Sequence, residues 1–135
     1  VVSRTGIWAL PPSEVVYFVA DEDEAGQPLR QNCVYELVGN VDPPARWWSV
    51  SLYRDNFWID NPDDRYSFSK TSVSRSSDGR WRVRVAAARQ AGNWLPMGDR
   101  PGAFSLSVRL YQPDPSVVAE PTAVPLPSLK RLSCV

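Results

Sequence analysis

The stretch GNWLPMGDRPGAFSLSVRLYQP, residues 92–113, places a loop rich in glycine and proline before eight residues that alternate between apolar and polar. The apolar set is Phe104, Leu106, Val108 and Leu110, and the other set is Ser105, Ser107, Arg109 and Tyr111. Because successive side chains of an extended chain point to opposite faces, the pattern predicts a half-buried β-strand over 104–111.

Further segments have the period or the composition of strands. They are VVYFVA (15–20), CVYELV (33–38), RWWSVSLY (46–53), YSFSKTSV (66–73) and RWRVRVAA (80–87). Turn-forming stretches rich in proline and aspartate separate them at short intervals, which is typical of an all-β sandwich or barrel. The Asp78-Gly79 step between the last two segments predicts a hairpin, since glycine adopts a positive φ at little cost.

Two segments lack a strand pattern. The acidic run DEDEAG (21–26) has no apolar stripe and ends at glycine, so we predict a solvated loop. The stretch QPDPSVVAEPTAVPLP (112–127) carries so many prolines that extended, polyproline-like chain over the surface is expected. We predict one β-sandwich domain over 1–135, with a proline-rich C-terminal tail over 112–135.

Composition excludes several function classes. Fifteen basic and fifteen acidic residues leave a net charge of zero, which argues against a nucleic-acid partner. The sequence has no histidine, so it has no Ser-His-Asp or Cys-His catalytic pair and no histidine ligand for zinc or haem. We expect neither a metal nor a cofactor.

Cys33 and Cys134 lie far apart in the sequence and have no metal-binding spacing. They form either two buried thiols or one disulfide. We favour the disulfide because it would anchor a C-terminal tail that has no other evident attachment. A disulfide is typical of an oxidising compartment. The chain begins at Val1 without methionine, and we expect that an N-terminal signal or membrane anchor has been removed.

The order of several motifs resembles a known bacterial family. The motifs are a WS strand ending in Leu-Tyr, an Asn-Pro turn, an Asp-Gly hairpin, an NWLP loop and a strand ending in Arg-Leu-Tyr shortly before proline. Over residues 33–115 the chain resembles the family called domain of unknown function 1214, in its short, stand-alone form. The resemblance implies a jelly-roll-like antiparallel β-sandwich in the cell envelope, on the periplasmic side. It implies no catalytic residues.

Asn93 and Trp94, in the loop before the strand over 104–111, have two interpretations. Asn93 can hydrogen-bond a turn while Trp94 covers the end of the core, which would fix the register of the following strand. Alternatively, both line a pocket in which the indole packs on a ligand. Trp47 and Trp58 are out of phase with a strand or lie in a loop, so they either form a sugar-binding platform or pack against the tail.

A basic stripe is predicted on the outer face of one strand. Arg80, Arg82 and Arg84 occupy alternate positions, and Arg109 is a further candidate member. Such a stripe can bind an anionic partner, or it can prevent the sheet from pairing with another molecule.

Carboxylates cluster in the turn RDNFWIDNPDD (54–64). They are Asp55, Asp60, Asp63 and Asp64. A pair of carboxylates can hydrolyse a glycoside, but the same residues are also the usual ones in turns beside proline. We therefore expect a non-catalytic binding or structural module whose partner is an envelope glycan, a glycolipid or another envelope protein. The alternatives are a carbohydrate- or glycolipid-binding module and a hydrolase of envelope polysaccharide.

Overall fold

The computed structural model describes residues 2–5, 14–54, 57–59 and 65–135. The strands form two sheets, with apolar side chains packed between them. Sheet one has the order β1-β2-β9-β4-β5, with β6 also paired to β4, and sheet two has the order β10-β3-β7-β8. The strands of sheet one are β1 (Val2–Thr5), β2 (Val15–Ala20), β4 (Ala45–Arg54), β5 (Phe57–Trp58), β6 (Ser67–Ser69) and β9 (Ser105–Pro113). Those of sheet two are β3 (Cys33–Gly39), β7 (Trp81–Ala86), β8 (Trp94–Pro96) and β10 (Ser128–Cys134).

The alternating stretch that opens the sequence analysis forms β9, in the middle of sheet one. Its register places Val108 opposite Phe18 of β2 and Val50 of β4, and all three side chains are buried. Among the described strands, all pairs are antiparallel except β7 with β8. The predicted all-β, two-sheet architecture is confirmed, and its finer assignment as a jelly roll stays a prediction.

The two sheets meet at a pair of stacked indoles. Trp48 of sheet one and Trp81 of sheet two are buried, with ring centroids 4.8 Å apart and an interplanar angle of 20°. Gly39 lies opposite Trp81 in the β3–β7 ladder, and a Cβ at this position would lie 2.1 Å from the indole. The core therefore requires glycine here because the indole occupies the space of a side chain.

The structure differs from the predicted hairpin between 66–73 and 80–87. β6 pairs with β4 in sheet one, whereas β7 pairs with β3 in sheet two. The Asp78-Gly79 step does form a tight turn, in which Gly79 has a φ of +85°. This turn closes only an isolated bridge between Arg75 and Trp81, because the chain crosses from one sheet to the other before it.

The C-terminal tail also differs from the extended chain expected over 112–127. Pro115–Ala119 form a short helix, α1, with proline in its first turn and Val117 buried, and a 3-10 turn follows at Pro121–Ala123. Proline favours the first turn of a helix because its missing N–H would have no partner there. β10 then pairs with β3, and the predicted disulfide joins Cys33 to Cys134, which are opposite each other in the ladder.

The acidic run at 21–26 is a loop, but one of its carboxylates is not solvated. Asp23 is 1% exposed, and its Oδ1 accepts hydrogen bonds from the backbone N–H groups of Ala25 and Gln27. Its Oδ2 lies 3.4 Å from Nε of Arg131 in β10. This aspartate therefore shapes its own turn and holds the C-terminal strand. Among the described residues, no helix is both long and apolar enough to cross a membrane.

Candidate ligand-binding site

Asn93 lies directly before β8 and is nearly buried, at 9% exposure. Its Oδ1 accepts a hydrogen bond of 2.9 Å from the backbone N–H of Ser74. Its Nδ2 donates to the backbone oxygens of Ser74 and Arg82, at 2.9 and 2.8 Å. The amide thus uses both of its N–H donors on the backbone and ties β8 to β7 and to the segment after β6. This is the turn-stabilising role considered for Asn93 from the sequence.

Trp94 is the first residue of β8 and is half-buried. In the parallel β7–β8 register it lies beside Arg84, and its Nε1 donates a 2.9 Å hydrogen bond to the backbone oxygen of Ala86. The guanidinium carbon of Arg89 lies 5.3 Å from the indole centroid. The polar atom of the indole is thus occupied, and what remains for a ligand is its apolar surface.

Arg82 and Arg84 of β7 share one carboxylate. Arg82 Nη1 lies 3.2 Å from Oε1 of Glu36, and Arg84 Nε lies 2.9 Å from its Oε2. Glu36 belongs to β3 and its side chain is 11% exposed, whereas the side chains of Arg82 and Arg84 are 63% and 39% exposed. Two guanidinium groups on one carboxylate leave an excess positive charge that faces solvent.

Arg75, after β6, forms hydrogen bonds with other residues of the protein. Its Nη1 and Nη2 donate hydrogen bonds of 2.9 Å to the two carboxylate oxygens of Asp42. The same nitrogens donate to the backbone oxygens of Gly79 and Lys70. The hydrogen bond to Asp42 raises the pKa of Arg75 above its ordinary value. Arg75 therefore fixes the turn that leads into β7, and it adds no net charge.

These residues line two adjoining hollows, the first against β7 and the second between β8 and the segment around β6, and we call the two together the arginine groove. Each hollow has a volume of about 450 Å³. The first is lined by Glu36, Ser74, Arg75, Ser76, Arg82, Arg84, Gln90, Ala91, Gly92 and Asn93. The second is lined by Arg65, Phe68, Ser72, Ser74, Arg89, Gln90, Gly92, Asn93 and Trp94. Both are shallow and lined mainly by polar residues, and the surface of the second is the more polar of the two.

A third hollow, of about 340 Å³, lies at α1. It is lined by Pro44, Ser116, Ala119, Glu120, Ala123, Val124 and Pro125. One carboxylate among small side chains offers little chemistry for recognition. The described residues also contain no group of three or more cysteine, aspartate or glutamate side chains placed to hold a metal ion.

The remaining candidates lie elsewhere. Arg80 precedes β7 and pairs loosely with Asp78, at 3.6 Å, where both side chains are exposed. Arg109 lies on β9 of sheet one, so the structure does not join it to the stripe on sheet two. The backbone of Trp58 pairs with Tyr53 at the edge of sheet one. Trp47 is 39% exposed on β4. The carboxylates proposed for hydrolysis, Asp55, Asp60, Asp63 and Asp64, lie outside the described residues.

Glu36 is the residue of the groove that the sequence analysis missed. The period of two in 33–38 places it on the face opposite Tyr35 and Leu37, so its outward direction could have been read from the sequence. Its partners could not, because β3 and β7 are more than 40 residues apart in the chain and only the ladder aligns Glu36 with Arg84.

Solved structures share this architecture. The VPA0106 protein from Vibrio parahaemolyticus superimposes with a TM-score of 0.80 at 24% identity, over 95% of this chain and 33% of that one. A putative uncharacterized protein from Burkholderia cenocepacia has a TM-score of 0.68 at 18% identity, over 98% of this chain and 34% of that one. The chain thus spans about a third of the length of both proteins.

No curated protein matches the chain at a significant level. A family model does match it, over residues 14–115, and so covers the span from β2 to the start of α1. This span includes the arginine groove and extends the resemblance seen over 33–115 to the N-terminal side. The chain therefore belongs to the family described as "Protein of unknown function (DUF1214)".

Proposed function

We propose that the chain is a non-catalytic binding module of the bacterial cell envelope, and that its arginine groove binds an acidic saccharide. The observation that carries the proposal is the shared carboxylate of Glu36. Because it neutralises only one of the two guanidinium groups of Arg82 and Arg84, a second anionic group would complete the cluster.

The rest of the groove suits a sugar. Next to Arg84 in the ladder lies Trp94, whose apolar ring surface can pack on a pyranose while the neighbouring polar side chains bond its hydroxyl groups. The shallow shape favours an extended, hydrated chain over a small buried ligand. The Cys33–Cys134 disulfide supports a location in an oxidising compartment such as the periplasm.

The test is a calorimetric titration of the purified chain with an oligogalacturonate, and with a neutral oligosaccharide of the same length. We expect the acidic oligosaccharide to bind more tightly, and its affinity to fall as salt is added, because exposed charges are screened. The variant Arg82→Gln should lose about tenfold in affinity, the scale of one charged hydrogen bond. Arg84 keeps Glu36 paired in this variant, so the fold should be preserved.

Arg80→Gln is the matched control, since it removes the same charge from the same segment but outside the groove. It should bind like the wild type. Equal loss in both variants would mean that only the overall charge matters. No binding of the acidic oligosaccharide, or equal binding of the neutral one, would overturn the proposal.

A further inference from the structure

Arg109 lies on the outer face of sheet one, on the opposite side of the molecule from the arginine groove. It is half-buried, and aromatic rings surround it. Its guanidinium carbon lies 4.7 Å from the ring centroid of Tyr17 and 5.4 Å from that of Tyr53. Tyr111 is two residues along the same strand and on the same face.

The polar groups of this cluster include more hydrogen-bond donors than acceptors. Nη2 of Arg109 donates to the hydroxyl of Tyr53. Its Nε is buried and has no hydrogen-bond partner. A tyrosine hydroxyl that accepts from a guanidinium group still has its own proton to donate. The cluster therefore holds a guanidinium N–H without a partner beside a tyrosine hydroxyl that still has a proton to donate, and none of the described carboxylates pairs with Arg109.

A half-buried cation without a counter-charge is costly, and the aromatic rings offset only part of that cost. Burial alone lowers the pKa of Arg109, but the neighbouring Tyr111, Tyr53 and Tyr17 outweigh this effect and raise the pKa. Arg109 is thus held as a cation among neutral tyrosine side chains, and no described carboxylate is paired with it. An oxyanion that contacts the exposed part of the guanidinium group would accept further hydrogen bonds and supply a negative charge.

We propose that Arg109, with Tyr53 and Tyr111, forms a second binding site, for the carboxylate or phosphate group of a ligand. The guanidinium group takes the anion, and the tyrosine hydroxyls donate to its oxygens. Tyr17 stacks against the guanidinium group and holds its plane. The site does not depend on the function proposed for the groove, because the two share no residue.

The test is an NMR titration of the whole chain with sodium acetate and, separately, with sodium phosphate, against sodium chloride at equal ionic strength. We expect at least one oxyanion to shift the Arg109 and tyrosine resonances in a saturable manner. Saturation by acetate alone identifies a carboxylate ligand, and saturation by phosphate alone identifies a phosphate ligand. Shifts no larger than those with chloride would overturn the proposal.

Arg109→Met is the main variant, since it keeps an unbranched apolar chain between the rings but removes the charge. We expect its affinity for the oxyanion to fall by at least about tenfold, as for a charged hydrogen bond. Arg80→Gln, which removes an exposed charge outside both proposed sites, is the control and should bind unchanged. If the anion is lost with Arg82→Gln instead, the site is the groove and the inference is wrong.

A second pair of variants decides the question even if Arg109→Met does not fold. Tyr53→Phe and Tyr111→Phe keep the rings that surround Arg109 and remove only the hydroxyl groups. Each should weaken oxyanion binding by about three- to tenfold, because each removes one donor. Wild-type affinity in both would show that the tyrosines only pack against Arg109, and would overturn the proposal.

Discussion

At the scale of single residues, Asp42 connects Arg75 with the stacked indoles of the core. It accepts two hydrogen bonds from Arg75, and the indole N–H groups of Trp48 and Trp81 lie near it without forming a hydrogen bond. Partial burial alone raises the pKa of Asp42, but Arg75 outweighs this effect, with help from the two indoles, and the pKa lies below its ordinary value of 3.8. The charged form of Asp42 therefore stabilises the fold near the stacked indoles of the core.

This assignment predicts a pH dependence. Because the pKa of Asp42 is lower in the folded state, its contribution to stability is fully present above the unfolded pKa and is lost as the pH falls through the folded pKa. The urea midpoint of the wild type should fall more steeply between about pH 4 and about pH 2 than that of Asp42→Asn. Arg75→Gln removes the partner and should flatten the profile in the same way. Parallel profiles in all three proteins would contradict this role.

At the scale of elements, β10 depends on the disulfide more than on its own burial. Among its residues only Leu129 is buried, and the strand is the edge of sheet two. The bond between Cys33 and Cys134 closes a loop with a sequence separation of 101 residues. Closing a loop of this length restricts the unfolded chain strongly, which favours the folded state in the chain-entropy model.

We expect reduction of the wild type to lower its free energy of unfolding by about 2–5 kcal/mol. The measurement is urea unfolding with and without reductant. The double variant Cys33→Ser, Cys134→Ser is the control, since reductant should leave it unchanged at the stability of the reduced wild type. An unchanged midpoint on reduction would mean that the backbone ladder with β3 and the contact of Arg131 with Asp23 hold β10 alone.

The sequence predicts which face of a strand is buried, but it does not predict which strands pair. A period of two is a local property, so the buried faces of β4, β7 and β9 follow from the residues themselves. Which sheet a strand joins depends on distant partners, and the turn at Asp78-Gly79 gave no sign that β6 and β7 separate. The tail shows the same limit, since proline allows both extended chain and the first turn of α1.

The arginine groove shows the same difference between what a local pattern predicts and what the fold determines. Arg82 and Arg84 could be chosen from the sequence because they alternate with the apolar positions of their strand, and Trp94 because it lies in the loop before the strand over 104–111. Their grouping into one groove could not, because it depends on the parallel pairing of β7 with β8. Arg109 matched the stripe in chemistry but belongs to the other sheet. Residue type is thus predictable from pattern, whereas proximity between strands requires the fold.

At the scale of the whole molecule, both sheets depend on one core. The buried cluster includes Phe18, Val50 and Leu106 from sheet one and Leu37 and Val83 from sheet two. The outer sides of the two sheets carry the two proposed anion sites, although the chain as a whole has no net charge. Local clusters of arginine, and not the overall field, would therefore attract anionic ligands.

A shared core predicts that the chain unfolds as one domain. Neither sheet can keep its inner face covered without the other, as the stacking of Trp48 on Trp81 shows. Far-ultraviolet circular dichroism, which follows the sheets, and tryptophan fluorescence, which follows the core, should therefore give coincident urea transitions. The variant Cys33→Ser, Cys134→Ser should also give one coincident transition at lower urea, which excludes a disulfide that merely ties two separate units together. Two separated transitions in either protein would mean that the sheets are independent units.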